Sequence, residues 1–201
     1  MEDNSHALQE ERNDTVRSLL RALEKHGPGE GAHADRVAVY ATAIGHKLGM
    51  DLDDLINLRW AAALHDVGKI TVDPALLKKF GKLTDSEMKE MRLHAEMSMR
   101  VIGEFEWLKP VLPMIRHHHE RFDGSGYPDG YAGDDIPIGA RIIAVAETFD
   151  VLTEETGWSK SMSMEEALEE VCRCSGAQFD PEVVDAFCAV QPLIQPVGMD
   201  S

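Results

Sequence analysis

The stretch IGARIIAVAETFDVL, residues 138–152, decides how this chain folds. Apolar side chains occur on almost every face of the helix that it would form, which is typical of a helix at the centre of a packed domain. Glu147 lies inside this apolar run, where a carboxylate is costly unless it is paired or bound to a metal. The stretch therefore predicts a buried central helix that carries an acid in need of a partner.

Helical patterns account for most of the remaining chain. Expected helices cover residues 9–26, 32–49, 51–65, 84–104, 109–120 and 138–152, with a short turn at Pro74 and two more helices that begin at Ser163 and Asp180. Residues 1–8 are expected to lack regular structure, and the Gly-, Asp- and Pro-rich segment 123–137 predicts a loop. No segment has a convincing strand pattern, so we predict an all-α fold of about seven to nine helices.

The charge of the chain is strongly negative but unevenly placed. Its 201 residues include 36 Asp and Glu against 20 Lys and Arg, which gives a net charge of −16. Residues 122–201 hold 16 acids and 3 bases, whereas residues 66–121 hold 9 acids and 10 bases. The total argues against a nucleic-acid polymer or an anionic membrane as a partner. A small anion can still approach the near-neutral middle third, because the local field governs its access.

Three further features bear on the cellular location. No apolar run approaches the roughly 20 residues of a membrane span, and the acidic, polar N-terminus is unlike a signal peptide. The three cysteines, at 172, 174 and 188, are odd in number and argue against a disulfide framework. We therefore expect a cytoplasmic protein.

Histidines and acids recur near the predicted helix ends. His65–Asp66 follows an apolar helix, His94 is expected inside another, and His118–His119 end a third. Each has an alternative, structural interpretation, since a histidine at a helix end is more often part of a hydrogen-bonded structure than a metal ligand. Together with Glu147 they favour a metal site, and imidazole and carboxylate without thiolate suit iron, manganese or zinc. Consecutive helical residues point about 100° apart, so the histidine pair can serve two neighbouring ions more easily than one.

Several longer motifs occur in order between about residues 33 and 187. They are HADRVA (33–38), LHDVGKI (64–70), GKLTDSE (81–87), HHERFDGSGYP (118–128), IPIGARIIAVA (136–146) and GAQFDP (176–181). In these motifs the chain resembles the HD-GYP branch of the HD metal-dependent phosphohydrolases. The resemblance implies an HD-type helical bundle and a phosphodiesterase that hydrolyses a cyclic dinucleotide, above all cyclic di-GMP, to a linear dinucleotide and/or GMP.

The resemblance also implies a set of site residues. A centre of two divalent ions, with iron or manganese favoured and zinc as an alternative, would be held by His33, His65, Asp66, His94, His118, His119 and Glu147. Asp66 would bridge the ions and act in catalysis with Lys69, which would reach the phosphate. Substrate contacts would come from Lys69, Tyr127, Asp150 and Trp158. In some members a third ion is bound by a glutamate that lies four residues before the first histidine of the set. Here Gly29 occupies that position, with Glu30 beside it, so two ions are expected.

The chain departs from the family pattern at two further places. Residue 147 is Glu where Asp is usual, which adds a methylene to a metal ligand. Thr156 and Ser159 stand where Arg and Lys would hold the second phosphate or a guanine, and Lys160 is one position away. An arginine–phosphate contact is worth about 1.5–3 kcal/mol. These departures concern the substrate more than the metal centre.

Two other hypotheses stay open from the sequence. One is a catalytically weak or inactive module that binds a cyclic dinucleotide or a protein partner in signalling, and the other is a different reaction, such as oxygenation, at the same metal ligands. We expect an N-terminal extension with one helix (1–31), an HD-GYP domain (32–192) and a C-terminal tail (193–201). The apolar stripe of the first helix suits packing on the domain or pairing of two chains in a homodimer.

Overall fold

The fold is taken from a computed structural model, which describes residues 2–79, 81–154 and 161–194. In these ranges the α-helices are α1 (Glu2–His26), α2 (Glu30–Lys47), α3 (Leu52–Leu64), α4 (Pro74–Leu77), α5 (Asp85–Arg92), α6 (His94–Ile102), α7 (Leu112–Arg116), α8 (Ile138–Thr153), α9 (Met164–Arg173) and α10 (Pro181–Val190). Short 3-10 helices cover Val67–Thr71, Glu106–Val111, Gly133–Asp135 and Gln191–Leu193. The all-α prediction is confirmed.

Several helix starts follow directly from capping residues. Asp51 accepts a hydrogen bond from the Asp54 amide, which caps α3. Thr84 and Ser163 each form a capping box with the glutamate three residues later, and these boxes begin α5 and α9. Asp180 caps α10 ahead of Pro181. The capping residues identified in the sequence therefore begin helices, as predicted.

Three helix boundaries differ from the sequence prediction. Helix α1 begins at Glu2, so the expectation that residues 1–8 lack regular structure is wrong for residues 2–8. The helix predicted over 84–104 is divided at Leu93, whose amide bonds to Glu90 in a tighter turn, and α6 then starts at His94. Helix α7 ends at Arg116, and His117–His119 lie in a turn instead of a helix. The 100° spacing argument for His118 and His119 is therefore wrong.

Helix α8 lies in the core, as its composition predicts, with eight buried residues along its length. It packs against α2, α7, α9 and α10, and α1 adds Val16 and Leu23 to the buried apolar set. Among the described helices, none has both the length and the apolarity needed to cross a membrane. The packing of α2 and α7 on α8 brings the histidines of distant segments next to Glu147.

The turn after His65–Asp66 lies in unusually close contact with α6. The Gly68 amide donates to the Ser98 hydroxyl at 2.8 Å, and this hydroxyl donates to the His65 carbonyl, also at 2.8 Å. A Cβ at position 68 would lie 2.1 Å from the His94 carbonyl oxygen. Only glycine permits this approach, which sets the spacing between Asp66 and His94.

Candidate metal centre

The structure brings the seven metal ligands expected from the sequence into two adjoining groups. His33, His65, Asp66 and Glu147 form one group, and His94, His118 and His119 form the other. Within each group one potential ligand atom per residue lies within 4.8 Å of the others. The residues come from α2, the turn after α3, the start of α6, the turn after α7, and α8. Five separate segments therefore build one site.

Asp66 lies between the two groups. Its Oδ1 is 3.2 Å from His94 Nε2, while its Oδ2 is 3.3 Å from His65 Nε2 and 3.9 Å from His33 Nε2. Each carboxylate oxygen thus faces a different group of imidazoles. Asp66 can therefore offer one carboxylate oxygen to each group of potential ligands.

Backbone carbonyls fix the orientation of three imidazoles. His65, His94 and His118 each donate Nδ1–H to the carbonyl three residues earlier, at 2.7, 2.7 and 2.6 Å. Because the carbonyl can only accept, the neutral form of each ring presents an unprotonated Nε2 to the site. This second layer of hydrogen bonds is the usual support of metal-bound histidines.

The inner nitrogens lie so close together that a proton or a metal ion must lie between them. His94 Nε2 is 3.4 Å from His118 Nε2 and 3.1 Å from His119 Nε2. Acceptor lone pairs at such distances repel unless a proton or a metal lies between them. His65 Nε2 and Asp66 Oδ1 are buried without any hydrogen-bond partner in the described chain, although buried polar atoms normally have one. The donor set therefore fits divalent metal ions.

Electrostatics favour the metal-binding protonation states of His118, His119 and Asp66. Burial and the neighbouring histidines hold the pKa of His118 well below its usual value, and burial lowers the pKa of His119 to about 4. Burial acts to raise the pKa of Asp66, but Lys69 and His65 hold it well below the usual range. Burial likewise acts to lower the pKa of His65, yet Asp66 raises it to about 9. A proton therefore competes with a metal at His65.

Asp150, expected to contact substrate, is buried against other side chains. It accepts a hydrogen bond from His33 Nδ1 at 2.7 Å and two from Arg36, at 2.6 Å from Nε and 3.0 Å from the terminal nitrogen. Its exposed fraction is 1%. Both carboxylate oxygens are thus engaged, and Asp150 orients the His33 ring toward the first ligand group.

Lys69 lies at the edge of the site between two acids. Its ammonium nitrogen is 2.7 Å from Asp66 Oδ2 and 2.9 Å from Glu30 Oε2. Burial acts to lower the pKa of Lys69, but these two carboxylates raise it, so the side chain stays charged. Glu30, which stands next to the position of the third-metal glutamate in some family members, is therefore paired with Lys69.

A pocket of about 360 Å³ opens beside the second ligand group. Tyr127 stacks on His119, with ring centroids 4.8 Å apart and planes at 25°. Glu120 accepts from the amides of Asp129 and Gly130 at 2.7 and 3.0 Å, which ties the Gly126–Tyr127–Pro128 loop to the histidine turn. The loop thus forms one wall of the pocket.

Trp158 is the one remaining substrate contact that the sequence suggests. Trp158 lies outside the described residues, as do Thr156, Ser159 and Lys160.

A third group of potential ligands, His117, Glu120 and Asp129, occurs beneath the loop. Asp129 already pairs with Arg116 at 2.8 and 2.9 Å, and this adjacent positive charge disfavours a cation there.

Sequence reasoning missed three partners of the site: Arg36, Ser98 and Arg92. The Arg92 guanidinium carbon lies 4.7 Å from the Tyr127 ring centroid, over the pocket. The hydrogen bonds of Arg36 and Ser98 join segments far apart in the chain, and no local pattern signals them. For Asp150 a signal existed, because it follows Glu147 by three residues and so lies on the same helical face.

Comparisons with known proteins agree with this geometry. The HD domain family model matches residues 17–183. The chain is 35% identical over 182 residues to the cyclic di-GMP phosphodiesterase response regulator RpfG of Xanthomonas campestris, covering 90% of this chain and 48% of RpfG. It is 33% identical over 180 residues to 3′3′-cGAMP-specific phosphodiesterase 2 of Vibrio cholerae, covering 89% and 34%. The chain thus spans a third to a half of the length of these relatives.

Solved structures show the same fold. A cyclic GMP-AMP-specific phosphodiesterase of V. cholerae superposes with a TM-score of 0.69 at 23% identity, over 89% of this chain and 48% of that one. The HD domain of the L. monocytogenes phosphodiesterase PgpH in complex with cyclic di-AMP gives a TM-score of 0.63 at 14% identity, over 88% and 97%.

The helical bundle and its gathered histidines and acids define an all-α domain built to bind divalent metal. The chain belongs to the HD domain family, and its His65–Asp66 pair and Gly126–Tyr127–Pro128 loop place it in the HD-GYP branch.

Proposed function

We propose that this chain is a metal-dependent phosphodiesterase that hydrolyses cyclic di-GMP to a linear dinucleotide and/or GMP. The position of Asp66 carries the proposal, because its two oxygens face two separate groups of imidazoles at 3.2 and 3.3 Å. The substrate class comes from the relatives, whose names specify cyclic di-GMP or cyclic GMP-AMP.

The ligand groups suit two divalent ions, iron or manganese before zinc. His33, His65, Asp66 and Glu147 would hold one, and His94, His118 and His119 the other, with Asp66 shared. Bound there, such ions supply Lewis acidity toward a phosphodiester and lower the pKa of water. Glu147 is suitably placed for this despite its extra methylene, since its carboxylate lies with His33, His65 and Asp66.

The protein's own groups provide positioning and charge. Lys69, held between Asp66 and Glu30, is a fixed ammonium that can donate to a phosphoryl oxygen or to the leaving 3′ oxygen. Asp150 and Arg36 fix the His33 ring, so Asp150 acts in positioning a metal ligand. Tyr127, stacked on His119, borders the space for the substrate. These contacts hold the reacting diester in place, which is the main demand of phosphoryl transfer.

The proposal is tested with protein loaded anaerobically with ferrous iron or with manganese, by following the loss of cyclic di-GMP. We expect turnover by the wild type and its loss in His65→Ala. A matched control is His46→Ala, which changes a histidine in the last turn of α2, outside the ligand groups. Equal rates for wild type and His65→Ala would overturn the proposal.

The departures at Glu147, Thr156 and Ser159 favour one alternative, a module that binds the dinucleotide without cleaving it. Calorimetry with cyclic di-GMP separates the two functions. Tight binding without product under both metals would select the binding module, whereas turnover would exclude it.

A further inference from the structure

We propose that Arg92 binds the second, non-reacting phosphate of the dinucleotide, in place of the basic residues that family members carry near positions 156 and 159. This inference rests on the proposed function. It concerns a residue on α5, far in sequence from the segment where the family's contacts would occur. The observation behind the proposal is that the Arg92 guanidinium lies over the Tyr127 ring, at the pocket beside the candidate metal ligands.

Arg92 is connected to the metal centre by a stack of planar groups. Its guanidinium carbon is 4.7 Å from the Tyr127 ring centroid, and the Tyr127 ring in turn stacks on His119 at 4.8 Å. A guanidinium that lies on an aromatic face keeps the N–H groups at its rim available for a bidentate contact with phosphate. The stack therefore holds a cation at a fixed place relative to one metal group.

The other basic groups near the pocket are already engaged. Arg121 donates to Ser125, Gln178 and Asp123 at 2.8, 3.0 and 3.2 Å, and Lys69 is held by two acids. Within the described ranges no carboxylate forms an ion pair with Arg92, and its side chain is exposed. Arg92 is thus the guanidinium at this pocket that can accept an anion without breaking an existing ion pair.

The charge distribution supports the same assignment. Residues 122–201 hold only 3 basic residues, whereas residues 66–121, which include Arg92, hold 10. A dinucleotide carries one phosphate to be cleaved and one that remains intact. The metal ligands would serve the first, and a cation displaced from them is needed for the second.

The test compares Arg92→Met with Arg92→Lys and with the control Arg100→Ala, which removes an exposed arginine that pairs with Glu96 on α6. Methionine keeps an apolar stem against Tyr127 but removes the charge. The measurements are KM and kcat for cyclic di-GMP, KM and kcat for bis(p-nitrophenyl) phosphate, which has a single phosphate, and the Kd of a phosphorothioate analogue of cyclic di-GMP by calorimetry.

We expect Arg92→Met to raise KM and Kd for the dinucleotides about tenfold or more, with kcat and the small diester almost unchanged. Arg92→Lys should recover part of the loss and Arg100→Ala should match the wild type. Unchanged dinucleotide KM and Kd, or equal losses on both substrates, would overturn the assignment. Wild-type turnover tests the proposed function, whereas the ratio of Kd values tests Arg92 even when no turnover occurs.

A separate observation concerns two cysteines on helices α9 and α10. The Sγ atoms of Cys172 on α9 and Cys188 on α10 lie 3.1 Å apart, and Cys172 is exposed. We infer that this pair is a site of reversible disulfide formation. The sulfur atoms need to approach by only about 1 Å to reach the roughly 2.05 Å of an S–S bond.

The reaction balances with a peroxide as the oxidant. Peroxide oxidises the exposed Cys172 thiol to a sulfenic acid and is itself reduced to water. The Cys188 sulfur then attacks the Cys172 sulfur, forming the S–S bond, and the sulfenic hydroxyl leaves as a second water with the thiol proton. A dithiol reductant reverses the change.

The test treats the protein with hydrogen peroxide, alkylates the remaining thiols and maps peptides by mass spectrometry. We expect a 172–188 disulfide in the wild type and in the control Cys174→Ser, and its absence in Cys172→Ser and Cys188→Ser. A higher thermal midpoint should accompany the disulfide and vanish with dithiothreitol. Oxidation without an intramolecular bond, or a bond through Cys174, would overturn the inference.

Discussion

Replacing Gly68 by alanine should separate the His65–Asp66 turn from helix α6. A Cβ at this position would lie 2.1 Å from the His94 carbonyl oxygen and 2.4 Å from the Ser98 amide nitrogen. Both neighbours are backbone atoms, so no side chain can rotate away. The substitution therefore forces the turn and the start of α6 apart.

The size of the effect follows from these distances. An ordinary contact of a Cβ begins at 3.4 Å, whereas the His94 carbonyl oxygen would be 2.1 Å away. The two segments must therefore move apart by about 1.3 Å. Overpacking of this kind costs about 1–3 kcal/mol. Loss of the hydrogen bond from the Gly68 amide to Ser98 adds about 1 kcal/mol. Because His94 and Asp66 lie on opposite sides of the contact, displaced ligands should also lower metal affinity about 10–100-fold.

The assay combines urea unfolding of the metal-free protein with calorimetric titration of manganese. Gly31→Ala serves as the control, because the atoms nearest to its Cβ, from 3.0 Å outward, belong to the Glu24 side chain and not to backbone, and its expected change is below about 0.5 kcal/mol. Gly68→Ala should lose about 2–4 kcal/mol in the free energy of unfolding. If the two variants unfold with the same free energy and bind manganese equally, the close approach does not set the ligand spacing.

Three further outcomes are expected. Asp150→Asn should lower the free energy of unfolding by about 3–5 kcal/mol, since it breaks a buried pair with Arg36, and should weaken metal binding through His33 about 10–100-fold; an unchanged thermal midpoint would contradict this. Removal of metal by a chelator should lower the free energy of unfolding in urea, and manganese at one hundred times its Kd should raise it again by about 2.7 kcal/mol. An unchanged free energy of unfolding on addition of manganese would show that the folded chain has no specific site. In the metal-free protein, burial acts to lower the pKa of His65 but Asp66 raises it to about 9, so its contribution to stability is full below about pH 6.5 and is lost as the pH rises toward 9. Burial lowers the pKa of His119 to about 4, so its contribution is present above about pH 6.5 and is lost as the pH falls toward 4. Urea unfolding across this range should give a maximum near pH 6.5, and a profile without a maximum would refute both assignments.

The site could be predicted from the sequence where residue type and order were sufficient. The motifs around His65–Asp66 and His118–His119 indicated the candidate ligands, and Glu147 was noticed because a carboxylate is costly in an apolar helix. The partners that orient these ligands were missed, because they depend on distant contacts. His33 and Asp150 are 117 positions apart, and the sequence suggested a substrate contact for the buried Asp150.

Helix boundaries show the same division between local and distant causes. Caps such as Thr84 could be identified because the cap and its glutamate are three residues apart. The break at Leu93 and the early end of α7 were missed, since the predicted helices have suitable residues throughout. Both breaks lie next to candidate ligands, since His94 is the first residue of α6 and His118 follows the end of α7 at Arg116.

The dispersion of the ligands along the chain has a consequence for the assembly of the protein during synthesis. The first group joins His33 to Glu147, which are 114 positions apart, so a bound ion acts as a cross-link that closes a very long loop. Such a link strongly lowers the conformational entropy of the unfolded chain. A growing polypeptide cannot close this loop until Glu147 has emerged from the ribosome. The first group should therefore acquire its metal late, after α2 to α7 and the part of α8 up to Glu147 have been made.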